Sequence, residues 1–162
     1  FTLNSLKKMI FAHDLKGNIY KPRNKEIKCI VEGKARGNLI GGNLSIICSS
    51  LGTENEIDTR NKILFIEEIG EEPYKIDRML TQLIQAGKIN DCAGIIFGYF
   101  SNCEPSNPQG SLTVSEVINE LIKPCGKPII AGVACGHSLP SLTLPMGAEV
   151  VIDSKKKNIK IV

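Results

Sequence analysis

From residue 63 onward, hydrophobic positions alternate between short unbroken runs and helical stripes. Residues 63–66 (ILFI) are uniformly apolar and end at once in acids, Glu67, Glu68, Glu71 and Glu72. A short apolar run followed by polar residues reads as a strand buried on both faces. Pro73 suits the first position of a helix. Ile76, Met79, Leu80, Leu83 and Ile84 then recur with the spacing of one helical face, and Gly87 stops the pattern. Residues 93–100 and 128–133 predict two more buried strands. Between them Thr113 and Glu116 have capping-box spacing, ahead of a helix marked by Val117, Ile118, Leu121 and Ile122 and ended by Gly126. Residues 134–147 predict an irregular loop, and residues 148–162 two strands joined by a Lys-Asn turn. Upstream, residues 27–32 suggest a strand. Leu3, Leu6 and Ile10 fit one face of a short helix, or of a segment whose packing partner is elsewhere. Helices that follow strands imply parallel neighbours, and the end strands add antiparallel pairs. The predicted fold is α/β, a mixed sheet with flanking helices.

Residues 33–53 interrupt this order with glycines at 33, 37, 41 and 42 around a short apolar stretch. Asn43 is placed to cap a helix over 44–50, with Gly52 at its end. A glycine-rich loop at a helix start can hold an anion, so Gly41, Gly42 and Asn43 are candidate substrate-binding residues. The plainer alternative, which is preferred on local grounds, is a tight turn or close backbone packing. The stretch is neither a P-loop nor a dinucleotide fingerprint.

Composition narrows the function. The chain has 162 residues, one domain's worth, and 42% are apolar. Aromatics are only 5% with no Trp, which argues against base stacking on nucleic acid. Nine Lys/Arg against three acids in residues 1–36, and a lysine cluster near the end, are read as solvated charge rather than a nucleic-acid face. Six cysteines have no C-x-x-C or zinc-finger spacing and are read as reduced thiols, which implies a cytoplasmic location. No apolar run approaches the roughly 18 residues of a membrane span. The first residue is Phe1 rather than Met, as in a piece of a longer protein.

Two histidines are present. His13 lies in a polar, unpatterned segment. His137 follows the apolar run 128–133, at the predicted carboxyl edge of the sheet, where Glu67 also lies after its own strand. A carboxylate bonded to one imidazole nitrogen fixes the tautomer and supports the imidazolium, the base-and-orienter half of a serine-type triad. A His137 that only stabilises its loop is the alternative. Ser138 adjoins His137 and points away from it, Ser45 lies within the predicted helix, and Ser49 and Ser50 end it. No serine occupies a nucleophile elbow, and no second ligand stands at metal-binding spacing from the histidine. Glu67 and Glu68 as a glycosidase pair are disfavoured, because neighbouring strand residues face opposite ways.

The stretches GNLIGGNLS (37–45), ILFIEEIGEEPYKIDRML (63–80), GIIFGYFSNC (94–103), PIIAGVACGH (128–137) and TLPMG (143–147) resemble, in order and spacing, the C-terminal domain of the LD-carboxypeptidase family, which includes the microcin-resistance peptidases. The resemblance spans roughly residues 29–153. It implies a swivelling β/β/α-type domain over 29–162, with residues 1–28 a remnant of an interdomain connection. It implies a cytoplasmic serine peptidase that cleaves the L–D amide bond of murein tetrapeptides in peptidoglycan recycling, or a peptide–nucleotide antibiotic in its immunity-type relatives. The family's Glu falls on Glu67 and its His on His137. The nucleophilic serine belongs to an N-terminal domain that these residues do not include, so the chain alone is expected to be inactive. No metal or organic cofactor, nucleic acid or membrane is implied. The expected partners are the murein peptide and the N-terminal domain, and the sequence is compatible with a homodimer. A non-catalytic peptide-binding module is a competing reading.

Overall fold

The computed structural model describes residues 1–12, 15–19, 22 and 25–162; His13 lies outside the described residues. The elements are α1 (Thr2–Phe11), β1 (Gly17–Asn18), β2 (Lys28–Val31), β3 (Lys34–Asn43), α2 (Leu44–Ser49), β4 (Ile63–Ile69), α3 (Pro73–Gln85), α4 (Lys88–Asp91), β5 (Gly94–Ser101), α5 (Val114–Val117), β6 (Ile129–Ala131), β7 (Glu149–Asp153) and β8 (Asn158–Ile161). The strands follow the order β1-β8-β7-β3-β4-β5-β6-β2. Pairs β3–β4, β4–β5 and β5–β6 are parallel, and β1–β8, β7–β8, β3–β7 and β2–β6 are antiparallel. The expected α/β class with a mixed sheet and flanking helices is therefore observed.

β3 joins the two halves. Its first residues, Lys34–Asn38, pair with β7, and Leu39–Asn43 pair with β4. Alternation along β4 then builds two cores. Leu64 and Ile66 pack with Ile76, Leu80 and Leu83 of α3. Ile63 and Phe65 pack with Val150 and Ile152 of β7 and with Ile159 and Ile161 of β8. The terminal hairpin thus covers the face of the parallel strands opposite the helices. A strand covered on both sides needs apolar residues at every position, which explains the unbroken ILFI run.

Several expectations need correction. Residues 34–43 are a strand rather than a glycine-rich loop. Gly41 has φ +123°, and a Cβ there would run into the Phe65 carbonyl of the neighbouring strand. Its glycine serves close backbone packing, and the helical cap at Asn43 follows directly from the strand, its side chain accepting the Ile46 N–H at 3.2 Å. The short helix α4 has no counterpart in the sequence reading. The helix after Thr113 carries the capping box but widens after one turn into a π-helical segment, Ile118–Ile122, and tightens into a 3₁₀ turn, Lys123–Cys125. The third buried strand is shorter than 128–133, although Val133 still donates its N–H to the Phe97 carbonyl at 3.1 Å.

α1 forms as the helical stripe predicts, but Leu3, Leu6 and Ile10 are exposed. Thr2 and Ser5 tie the helix down: their hydroxyls accept the N–H groups of Ser141 and Thr143, each at 2.9 Å. Among the described residues, no helix is long and apolar enough to cross a membrane.

Candidate functional site

The parallel strands end together, and their carboxyl ends carry the residues of interest. In register, Gly42 stands beside Ile66 and Asn43 beside Glu67. Glu67 continues the face of Ile63 and Phe65, while Glu68 turns to the helix side, as the period of two requires. Both carboxylates are buried, at 5% and 2% exposure.

Glu67 meets His137. Oε2 lies 2.8 Å from Nδ1, across 70 residues of sequence. The carboxylate is held inside while half of the imidazole side chain is exposed. A buried acceptor at Nδ1 selects the tautomer with the proton on Nδ1 and leaves Nε2 as the basic nitrogen. The two sequence-predicted residues are thus brought together in base-and-orienter geometry.

The loop carrying His137 is tied to β5 at successive points. Tyr99 N–H donates to the Cys135 carbonyl at 2.8 Å, and Tyr99 O–H to the Pro140 carbonyl at 2.9 Å. The hydroxyls of Ser101 and Ser138 lie 2.6 Å apart. Leu142 N–H donates to the Ala134 carbonyl at 2.6 Å, closing the loop on itself. Tyr99 and Ser101 were not singled out by sequence; their signal is that β5 runs on past its apolar core toward the same edge.

Glu68 has a different role from Glu67. Its oxygens accept from Asn43 Nδ2 at 2.7 Å, Ser45 N–H at 2.8 Å, Ser45 O–H at 2.6 Å and Ile69 N–H at 2.8 Å. Burial raises the pKa of this carboxyl, but the bonds from Ser45, Ile69 and Asn43 outweigh it and hold the group below its ordinary value. The start of α2 does receive an anion, and that anion is the chain's own Glu68. Asn43 therefore spends one amide hydrogen on Glu68 and its oxygen on the helix start. Glu71 pairs with Lys75 at 2.9 Å, and Glu72 accepts from Ser106 at 3.2 Å; neither reaches the Glu67–His137 pair through these bonds.

The serines weighed as nucleophiles are engaged elsewhere. Ser138 bonds Ser101, Ser45 bonds Glu68, and Ser49 and Ser50 donate to carbonyls of α2. Among the described residues no group of three or more His, Cys, Asp or Glu side chains is placed to hold a metal. The six cysteines are free thiols. Burial, then the Glu67 carboxylate, pushes the Cys135 thiol up to about 11, which leaves it a poor nucleophile although it lies two residues from His137.

The α/β domain thus carries, at the carboxyl ends of its parallel strands, a buried Glu67 bonded to a half-exposed His137. Residues 36–152 match the family model described as the LD-carboxypeptidase C-terminal domain, and the chain belongs to that family. It is 48% identical over 132 residues to a probable murein peptide carboxypeptidase of Bacillus subtilis, covering 82% of this chain and 41% of the relative. It is 33% identical over 134 residues to the microcin C7 self-immunity protein of Escherichia coli, covering 80% of this chain and 37% of that protein. The crystal structure of a muramoyltetrapeptide carboxypeptidase from Oxalobacter formigenes superposes with a TM-score of 0.82 at 26% identity, covering 99% of this chain and 53% of that one. The chain thus spans about two-fifths of the length of the first of these relatives.

Proposed function

We propose that these residues are the Glu/His-bearing half of a serine-type LD-carboxypeptidase that hydrolyses the L–D amide bond of murein tetrapeptides in peptidoglycan recycling. The observation that carries this reading is the 2.8 Å bond between buried Glu67 and half-exposed His137. In the reaction Glu67 orients the imidazole, and Nε2 takes the proton of a serine hydroxyl as that oxygen attacks the scissile carbonyl. His137 then returns the proton to the leaving amine, and water repeats the sequence to release the acyl group. The serine and the oxyanion donors come from the part of the protein outside these residues, the domain partner of this one. Residues 1–28 serve as the connection to it.

Gly41, Gly42 and Asn43 line the same sheet edge beside Glu67, and they are the proposed substrate-binding residues. The Asn43 amide oxygen and one of its hydrogens are already occupied, by the Ile46 N–H and by Glu68. The free thiols accord with a cytoplasmic location. An immunity-type peptidase acting on a peptide–nucleotide is the second reading, supported by the 33% identity to the microcin C7 self-immunity protein.

Turnover of a murein tetrapeptide by the complete protein tests the assignment. Glu67→Gln and His137→Ala are each expected to lower kcat by roughly 10²–10⁴. Near-normal turnover in either variant would remove that residue from the mechanism. Preference for an aminoacyl nucleotide over the tetrapeptide would select the second reading.

A further inference from the structure

The Glu67–His137 bond joins a strand end to a loop, and the loop end is the half that has to be held. Imidazole and carboxylate stay aligned through protonation only if the backbone at residue 137 does not drift. The next residue supplies an anchor: Ser138 Oγ lies 2.6 Å from Ser101 Oγ, and Ser101 is itself 7% exposed at the end of β5. Ser101 is fixed in turn by its carbonyl, which accepts the Gly70 N–H at 2.9 Å. Gly70 follows directly on β4, the strand that delivers Glu67. The chain of bonds thus runs from the end of β4 through Ser101 and Ser138 to the backbone of His137, closing a ring around the Glu67–His137 pair.

We propose that the Ser101–Ser138 hydroxyl pair is a positioning device for His137. It holds the loop so that Nδ1 remains on Glu67 while Nε2 gains and loses a proton. Neither serine touches substrate; both act through the imidazole. The proposal rests on the Glu67–His137 reading and adds to it two residues that no part of the reaction itself requires. The neighbouring bond from Tyr99 O–H to the Pro140 carbonyl holds the far side of the same loop and supplies a control.

The test uses the complete protein, labelled with ¹⁵N-histidine, with the His137 signals assigned by their loss in His137→Gln. The exchange rate of the His137 Nδ1 proton with water is measured by NMR, and thermal unfolding is followed alongside. Ser101→Ala and Ser138→Ala are each expected to speed exchange about tenfold or more. The double variant should be no faster than either single, because both remove one bond. Ser138→Thr, which keeps the hydroxyl on a partly exposed position, should restore the slow rate. Tyr99→Phe should lower Tm without changing the exchange. A slow Nδ1 proton in the parent that stays equally slow in both alanine variants overturns the positioning role and leaves the Glu67–His137 pair intact. The same acceleration in Tyr99→Phe also overturns it, since general loosening of the loop would then suffice. Absence of a Glu67-bonded Nδ1 proton in the parent overturns both the positioning role and the pair it serves.

Discussion

A Cβ built on Gly136 would stand 2.7 Å from Glu67 Oε2, closer than any real side chain tolerates. The glycine before the histidine is what lets the loop pass over the carboxylate near enough for the 2.8 Å bond. Its φ of +133° adds a second reason, since L side chains rarely adopt it. Gly136→Ala is therefore expected to cost about 1–3 kcal/mol of stability and to displace His137 from Glu67. Urea unfolding measures the first effect, and loss of the slow Nδ1 proton the second. A variant as stable as the parent with the proton retained would show that the loop can shift at no cost.

Glu68 offers a stability prediction with a defined pH sign. Its folded pKa lies below the ordinary 4.5, so the folded state binds its proton less readily than the unfolded chain. The stabilisation is then complete above the unfolded value and is lost as the pH falls below 4.5 toward the folded value. Glu68→Gln replaces an acceptor with an amide facing the Ser45 and Asn43 donors, and should cost about 1–3 kcal/mol at pH 7. The gap between parent and variant in urea midpoints should narrow on acidification from pH 5 to pH 3. A gap that widens in acid would reverse the sign assigned to Glu68.

The six thiols should separate by reactivity. Burial pushes Cys48 to about 11, Cys92 to about 12 and Cys135 to about 11, and raises Cys103 as well. Their thiolate fractions at pH 8 are correspondingly small. Cys29 and Cys125 are partly exposed. Iodoacetamide at pH 8 should modify these two first, with Cys135 slow despite its own partial exposure. Mass spectrometry of timed digests reads the order. Early labelling of Cys135 would mean that the loop around it opens readily.

The two-sided burial of β4, the α3 stripe, the capping box at Thr113 and the meeting of Glu67 with His137 were legible because each depends on local period or on the topological rule that parallel strands end at one edge. Gly37, Gly41 and Gly42 were placed in a loop rather than a strand for the opposite reason, although close backbone packing was the preferred reading of the glycines themselves. Two of these glycines are demanded by the backbone of other segments: a Cβ on Gly41 would meet Phe65, and one on Gly37 would meet Asn61, contacts that no local pattern announces, while one on Gly42 would meet nothing and that residue is set apart by its φ of +154°. Glu68 shows the same limit. The helix start at Asn43 could be read as an anion site, but not that the anion comes from within the chain, 23 residues past Ser45. The widened turn at Ile118–Ile122 likewise keeps its apolar spacing, so the sequence still reads as a plain helix.

Finally, the 162-residue chain by itself should not hydrolyse a murein tetrapeptide. An imidazole with an oriented carboxylate can accept a proton, but the bond-making step needs a nucleophile and donors for the developing oxyanion, and these carry the larger part of the rate enhancement in acyl transfer. The hydroxyl nearest in sequence, Ser138, is held by Ser101. Ser45 is committed to buried Glu68, and Cys135 has its pKa pushed to about 11. His137, with half its side chain exposed, therefore has none of these three groups free to activate. Release of D-alanine from the tetrapeptide, followed by chromatography over hours at high protein concentration, is expected to stay at the no-enzyme background. Release above background that disappears in His137→Ala would place a nucleophile within these residues, and the division of the site between two parts of the protein would have to be abandoned.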